Sequence, residues 1–195
     1  MTNTILIPHP TTPRGSVDRF TVQARGSKEG WLSFHYVIEG DLAGVRLPAP
    51  KPPGHADQLW RTTCFEAFLA GREPAGYYEF NFAPSTEWAI YRFSAYRAGM
   101  TRVELIKPPA VTLRAGPNRL TLEAVVRLPD LAMAALGGNL RLGLSAVIEN
   151  RDGQLSYWAL RHPPGPPDFH HGDGFALPLP EMFDVQGFPD TKNLG

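Results

Sequence analysis

Three groups of side chains in this sequence could act on a small molecule. Trp60, Trp88 and Trp158 each present an indole plane, and indole stacks on the apolar C–H face of a sugar ring. Glu66 and Glu79 are carboxylates set inside apolar runs, where a charge needs a partner or a ligand hydroxyl. Arg61, Arg92 and Arg161 are the candidate partners, and Asn81 adds an amide two residues after Glu79. The third group is the stretch HPPGPPDFHHGD, which brings His162, Asp168, His170, His171 and Asp173 together.

Each group has a structural reading beside the functional one. A tryptophan in a strand is commonly a core residue. A glutamate in a strand can serve a structural ion pair. The histidine loop carries nitrogen and oxygen donors that suit a divalent ion, but its spacing follows no zinc pattern, so no metal is expected. Asp168 and His170 can equally bond their own backbone and stiffen a proline-rich loop. Catalysis by two carboxylates would require both to flank one bond at a set separation, which spacing in sequence does not show. The sequence also lacks a phosphate-cradling glycine loop, a Gly-x-Ser-x-Gly elbow and a Cys-His pair of recognisable context. Binding without catalysis is therefore the leading expectation. The rivals are an enzyme using Glu66 or His170 as acid or base, and a protein-interaction module.

The elements that must position these residues are strands. In Leu59 to Phe93, LWRTTCFEAFLAGREPAGYYEFNFAPSTEWAIYRF, three runs are separated by GREPAG and APST. Tyr78, Phe80 and Phe82 fall on one side of the middle run; Tyr77, Glu79 and Asn81 fall on the other. This predicts a three-stranded antiparallel meander. If Ala89, Tyr91 and Phe93 face the core, Trp88 and Arg92 face outward. Further strands are expected over 4–7, 19–25, 31–39, 102–106, 111–114, 119–128, 139–149, 155–161 and 174–179. A short helical segment near 130–136 is expected from DLAMAALGG. The loop 41–58, with LPAPKPPGHADQ, is either a binding element or a connector.

These patterns predict one all-β domain over residues 1–180, an antiparallel β-sandwich of jelly-roll type with about ten short strands. A closed barrel is the alternative. Residues 181–195 read as a tail whose Phe183, Val185 and Phe188 could dock on the domain or on a second copy. The 19 basic and 19 acidic residues cancel, and no basic run marks a nucleic-acid partner. The single cysteine, Cys64, excludes an intrachain disulfide. No basic segment followed by a long apolar run opens the sequence, and no stretch is long enough for a spanning helix, so a cytoplasmic location without membrane association is expected.

The blocks LWRTTCFEAFLA, YYEFNFAPSTEWAIYRF and LSYWALRHPPGPPDFHH resemble the DOMON-like domains of bacteria, relatives of the family-nine carbohydrate-binding modules. The likeness runs from about Trp31 to Leu179. It implies a β-sandwich that binds a ligand, a sugar or a haem across the wider superfamily. Those modules carry acidic residues ahead of the glutamate equivalent to Glu66, where this chain has Arg61, Thr62 and Thr63. Contacts made by those acids are not carried over. His35, His162, His170 and Met100 are the conceivable haem ligands, but nothing pairs them, and no cofactor is expected. The expected ligand is a carbohydrate or sugar-containing metabolite. The expected contacts are Trp60, Arg61, Glu66, Asn81, Trp88, Arg92, Trp158, His162, Asp168 and His170, and homodimerisation is a further possibility.

Overall fold

Buried and more exposed residues alternate along RLTLEAVVR, and the first six residues of WLSFHYVIEG repeat the pattern. CFEAFLA and YYEFNF do not alternate in burial: every residue in them is buried. The computed structural model, which describes residues 3–27, 30–71, 76–128 and 140–179, shows why. Two antiparallel sheets pack face to face. The first has its outer face in solvent, while the outer face of the second is covered by loops.

The strands are β1 (Thr4–Ile5), β2 (Ile7–Pro8), β3 (Val17–Gly26), β4 (Trp31–Gly40), β5 (Cys64–Ala70), β6 (Tyr77–Phe82), β7 (Trp88–Phe93), β8 (Thr101–Arg102), β9 (Ala110–Ala115), β10 (Arg119–Arg127), β11 (Arg141–Glu149), β12 (Leu155–Ala159) and β13 (Leu177–Pro178). The first sheet runs β1-β3-β4-β10-β9. The second runs β2-β12-β11-β5-β6-β7-β8, with β13 also on β11. The expected meander is β5-β6-β7, in the register Glu66 opposite Asn81 and Phe68 opposite Glu79. The sandwich expectation holds, and the two open sheets replace the barrel alternative. The expected strand over 102–106 is only two residues long, because pairing stops once Val103 has bonded Ile90. The expected helical segment near 130–136 and the 181–195 tail lie outside the described residues.

Between the sheets, Phe20, Tyr36, Phe65 and Trp158 form one aromatic group and Phe34, Phe80 and Phe82 another. Aliphatic residues of β10 and β11 complete this core. A smaller apolar cluster lies on the other side of the second sheet. It gathers Cys64, Phe68, Tyr77, Ala89, Tyr91, Phe93 and Phe175 beneath the loops.

Two loops make that cover. The proline-rich 41–58 segment runs beside β7: Trp88 donates to Gly54, and Ala56 donates back to Trp88. It leads into a 3-10 turn, Leu59–Arg61, on the outer face. The 160–176 segment crosses the same face and lays Phe175 against Phe68, with ring centroids 5.9 Å apart. Gly143 makes room for it: a β-carbon there would come within 2.7 Å of the Phe175 ring. Gly143→Val is therefore expected to displace Phe175 and destabilise the fold by about 1–3 kcal/mol. Thermal unfolding checks this, and an unchanged melting temperature would show that the ring is not held there.

Candidate functional site

Because loops cover the second sheet, its outer-facing polar residues are buried and gathered under a roof. Strand β5 contributes Glu66, β6 contributes Glu79, and β12 contributes Tyr157. The 3-10 turn adds Trp60, the turn after β7 adds Arg97, and the 160–176 segment adds Pro167, Phe169 and His170. They surround an open cavity of about 310 Å³. That is at the small end of the range for ligand pockets, roughly 300–1,000 Å³. Trp60, Phe93, Tyr157 and Phe169 form apolar walls around Glu66, Glu79, Arg97 and His170.

The polar groups are joined in a network. Asn81 donates from Nδ2 to Glu79 Oε1 at 2.7 Å. The backbone N–H of Arg97 donates to the Tyr77 hydroxyl oxygen at 3.1 Å, and that hydroxyl lies 2.7 Å from His170 Nδ1. With the imidazole proton assigned to Nε2, the Tyr77 hydroxyl donates to Nδ1 while its oxygen accepts from Arg97. Nε2 faces Glu79 Oε2 at 3.7 Å. Burial, with help from the nearby Arg97 charge, lowers the His170 pKa to about 4, against the opposing pull of Asp168. His170 is thus neutral at pH 7, and its contact with Glu79 is polar rather than an ion pair.

Asp168 holds the roof. It accepts from the Tyr96 hydroxyl at 2.7 Å, from Arg97 Nη2 at 2.7 Å and from the His170 backbone at 3.1 Å. His171 likewise accepts from the Asp173 backbone N–H. The loop uses its carboxylate and imidazoles to fix its own shape. Among the described residues no group of three or more His, Cys, Asp or Glu is arranged to hold a metal ion.

Glu66 differs from the rest. It is 3% exposed, it reaches the cavity, and its Oε1 is buried without a hydrogen-bond partner. Burial raises its pKa well above the carboxylate range, and the neighbouring Glu79 raises it further. Glu79 is also raised by burial, against the opposing effects of Asn81 and Arg97. Tyr36 reaches from the facing sheet and donates to the Glu66 carbonyl at 2.8 Å, which pins the strand at this residue.

Of the expected contacts, Trp60, Glu66 and His170 line this cavity. Asn81 is fully buried behind Glu79, and Asp168 braces Arg97 from outside. The remaining positions do not line this cavity. Trp158 is 1% exposed in the inter-sheet core, where its Nε1 donates to Ser156 at 3.0 Å. Trp88 is also a core residue, beside His55. The outward assignment of Trp88 assumed that Ala89, Tyr91 and Phe93 face the main core. They are buried under the loops instead, so burial alone does not separate the two faces. Arg92 is exposed and interacts with Tyr78, on the side of the sheet away from the cavity. Arg61 is exposed and does not line the cavity. His162 Nε2 donates to the Ile7 carbonyl at 2.9 Å, behind Phe169.

Tyr157, Phe169 and Arg97 were not singled out from the sequence. Tyr157 was legible by alternation, because a core Trp158 sends its neighbour to the other face. Arg97 sits in a turn at φ +51°, and no local pattern marks it. Beyond His170 lies a second cavity of about 310 Å³, lined by Tyr77, Tyr96, Arg141 and Phe175.

No protein-family model matches the sequence, and comparison with curated proteins finds no match. Among solved structures, the chain is similar to a candidate carbohydrate-binding protein from Bacteroides uniformis. The TM-score is 0.60 at 16% identity, over 92% of this chain and 85% of that one. Two family 9 carbohydrate-binding modules from Caldicellulosiruptor kristjanssonii, solved with glucose and with cellotriose, give TM-scores of 0.48 and 0.49 at 11% identity. These cover 94% and 97% of this chain and 81% and 85% of theirs. At such identities the likeness to the Bacteroides uniformis protein is one of fold, a two-sheet sandwich.

Proposed function

We propose that this chain binds a small carbohydrate, without catalysis, in the cavity on the covered face of its second sheet. The observation that carries this reading is the convergence of aromatic walls and a fixed set of polar groups around one open space. Trp60, Tyr157 and Phe169 offer flat surfaces for C–H faces, and Glu66, Glu79 and His170 offer groups for hydroxyls. The resemblance of the sequence blocks to DOMON-like domains and the fold shared with a candidate carbohydrate-binding protein both support it.

Calorimetric titration with hexoses, hexosamines and short oligosaccharides tests the proposal. At least one saccharide is expected to bind, and Trp60→Ala is expected to weaken it by roughly 30-fold, as for a loss of about 2 kcal/mol at a central aromatic contact. Trp60 is only partly buried, so the variant should remain folded. No binding across the panel, or unchanged affinity in Trp60→Ala, would refute the proposal.

A further inference from the structure

The cavity carries two carboxyl groups and one guanidinium. Glu66 and Glu79 both line it, and Arg97 is the cation among the residues that do. Arg97 is engaged by Asp168 at 2.7 Å, so that carboxylate already draws on its charge. The neutral His170 supplies a single N–H, and its Nε2 lies 3.7 Å from Glu79 Oε2. Asn81 bonds Glu79 rather than Glu66. The other groups around Glu66 include the hydroxyl of Ser145, directly opposite it on β11 and itself without a hydrogen-bond partner, the Tyr36 hydroxyl, which bonds the Glu66 backbone carbonyl, and the buried Cys64 thiol, whose contacts are Phe65 and Asn81. Tyr91 is turned toward Asp57, at 2.5 Å. None of these donors reaches Glu66 Oε1, which remains buried and unpartnered at the cavity.

A buried acceptor of this kind is matched by a donor on the ligand. A neutral hydroxyl would supply one hydrogen bond and no charge to favour the ionised form of a carboxyl that burial holds toward its neutral form. An ammonium group supplies up to three donors and a compensating charge. Aromatic faces close to such a cation add to its attraction. We propose that the ligand carries a protonated amine, as in an amino sugar, and that Glu66, with Glu79 beside it, receives that nitrogen against the aromatic walls. This rests on the reading of the cavity as a carbohydrate site and names the class of sugar.

The test compares matched trios by calorimetry at pH 7 and moderate salt: glucosamine, glucose and N-acetylglucosamine, and the corresponding galactose and mannose series. In at least one series the free amine is expected to bind about tenfold more tightly than both the parent and the acetylated sugar, the difference between a charge-assisted and a neutral hydrogen bond. Glu66→Gln keeps the shape and removes the group that can ionise beside an ammonium, and it should bring that ratio close to one. Equal or tighter binding of the parent or acetylated sugar throughout would overturn the inference and leave the carbohydrate reading standing. So would an amine preference that survives Glu66→Gln. Binding by no sugar in any series would overturn both.

Discussion

Trp158→Ala is expected to destabilise the protein by about 3–5 kcal/mol, as do other large aromatic truncations in well-packed cores. For a chain of this length that lowers the melting temperature by roughly 6–20 °C. Trp158 is 1% exposed, packs against Phe20 at 5.8 Å and satisfies its own N–H within the core. The lost volume lies between two sheets whose backbones are held by their ladders, so collapse around the gap is limited. Trp60→Ala should shift the melting temperature far less, because Trp60 sits at a cavity wall and touches the covered face mainly through Tyr91. Thermal unfolding of the two variants side by side distinguishes a core indole from a ligand-facing one. A melting temperature within 2 °C or so of wild type for Trp158→Ala would contradict the inter-sheet assignment.

Glu66→Gln should stabilise the ligand-free protein, and increasingly so as pH rises. The direction follows from linkage. Burial and Glu79 raise the folded-state pKa of Glu66 above its value in the unfolded chain, about 4.3. Between those two values the folded protein holds a proton that the unfolded chain has released. Stability contributed by the neutral acid is complete below the unfolded pKa and is lost as pH rises toward the folded one. His170 acts in the opposite sense: its lowered pKa costs stability as pH falls from about 6.5 toward 4. The Gln variant removes the Glu66 contribution and leaves that of His170. Its advantage over wild type should be small at pH 4.5 and grow to about 1–3 kcal/mol by pH 8, the cost of an unsatisfied buried acceptor. Melting curves from pH 4.5 to 8 check this. An advantage that is constant or shrinks with pH would contradict the buried, unpartnered carboxyl.

How far the molecule was legible beforehand varies by face. The solvent-facing sheet is the most legible, because one wet face leaves burial alternating along β10 and through the first six residues of β4. The β5-β6-β7 meander was equally clear from its turns and from the split between Tyr78-Phe80-Phe82 and Tyr77-Glu79-Asn81. The site was legible only in part. Glu66 stood out because a carboxylate inside CFEAFLA has no local reason to be there. Trp60 lines the cavity as expected, whereas Trp88 and Trp158 do not, because the second sheet is covered on both sides and an apolar residue in it reports burial but not direction. Trp88 was assigned to the outer face on a comparison with Ala89, Tyr91 and Phe93 that the loop cover makes uninformative. Arg97 and Phe169 enter the cavity through turns and loops, whose paths depend on tertiary contacts such as the Asp168 bonds to Tyr96, Arg97 and His170.

The most direct measurement is a crystal structure of the protein soaked with the tightest-binding saccharide of the titration panel. Density for the sugar is expected on the covered face of the second sheet, with a ring face against Trp60 or Tyr157 and a donor within hydrogen-bond distance of Glu66 Oε1. A sugar found on the exposed face of the first sheet, with the cavity beside Glu66 empty, would contradict the site described here.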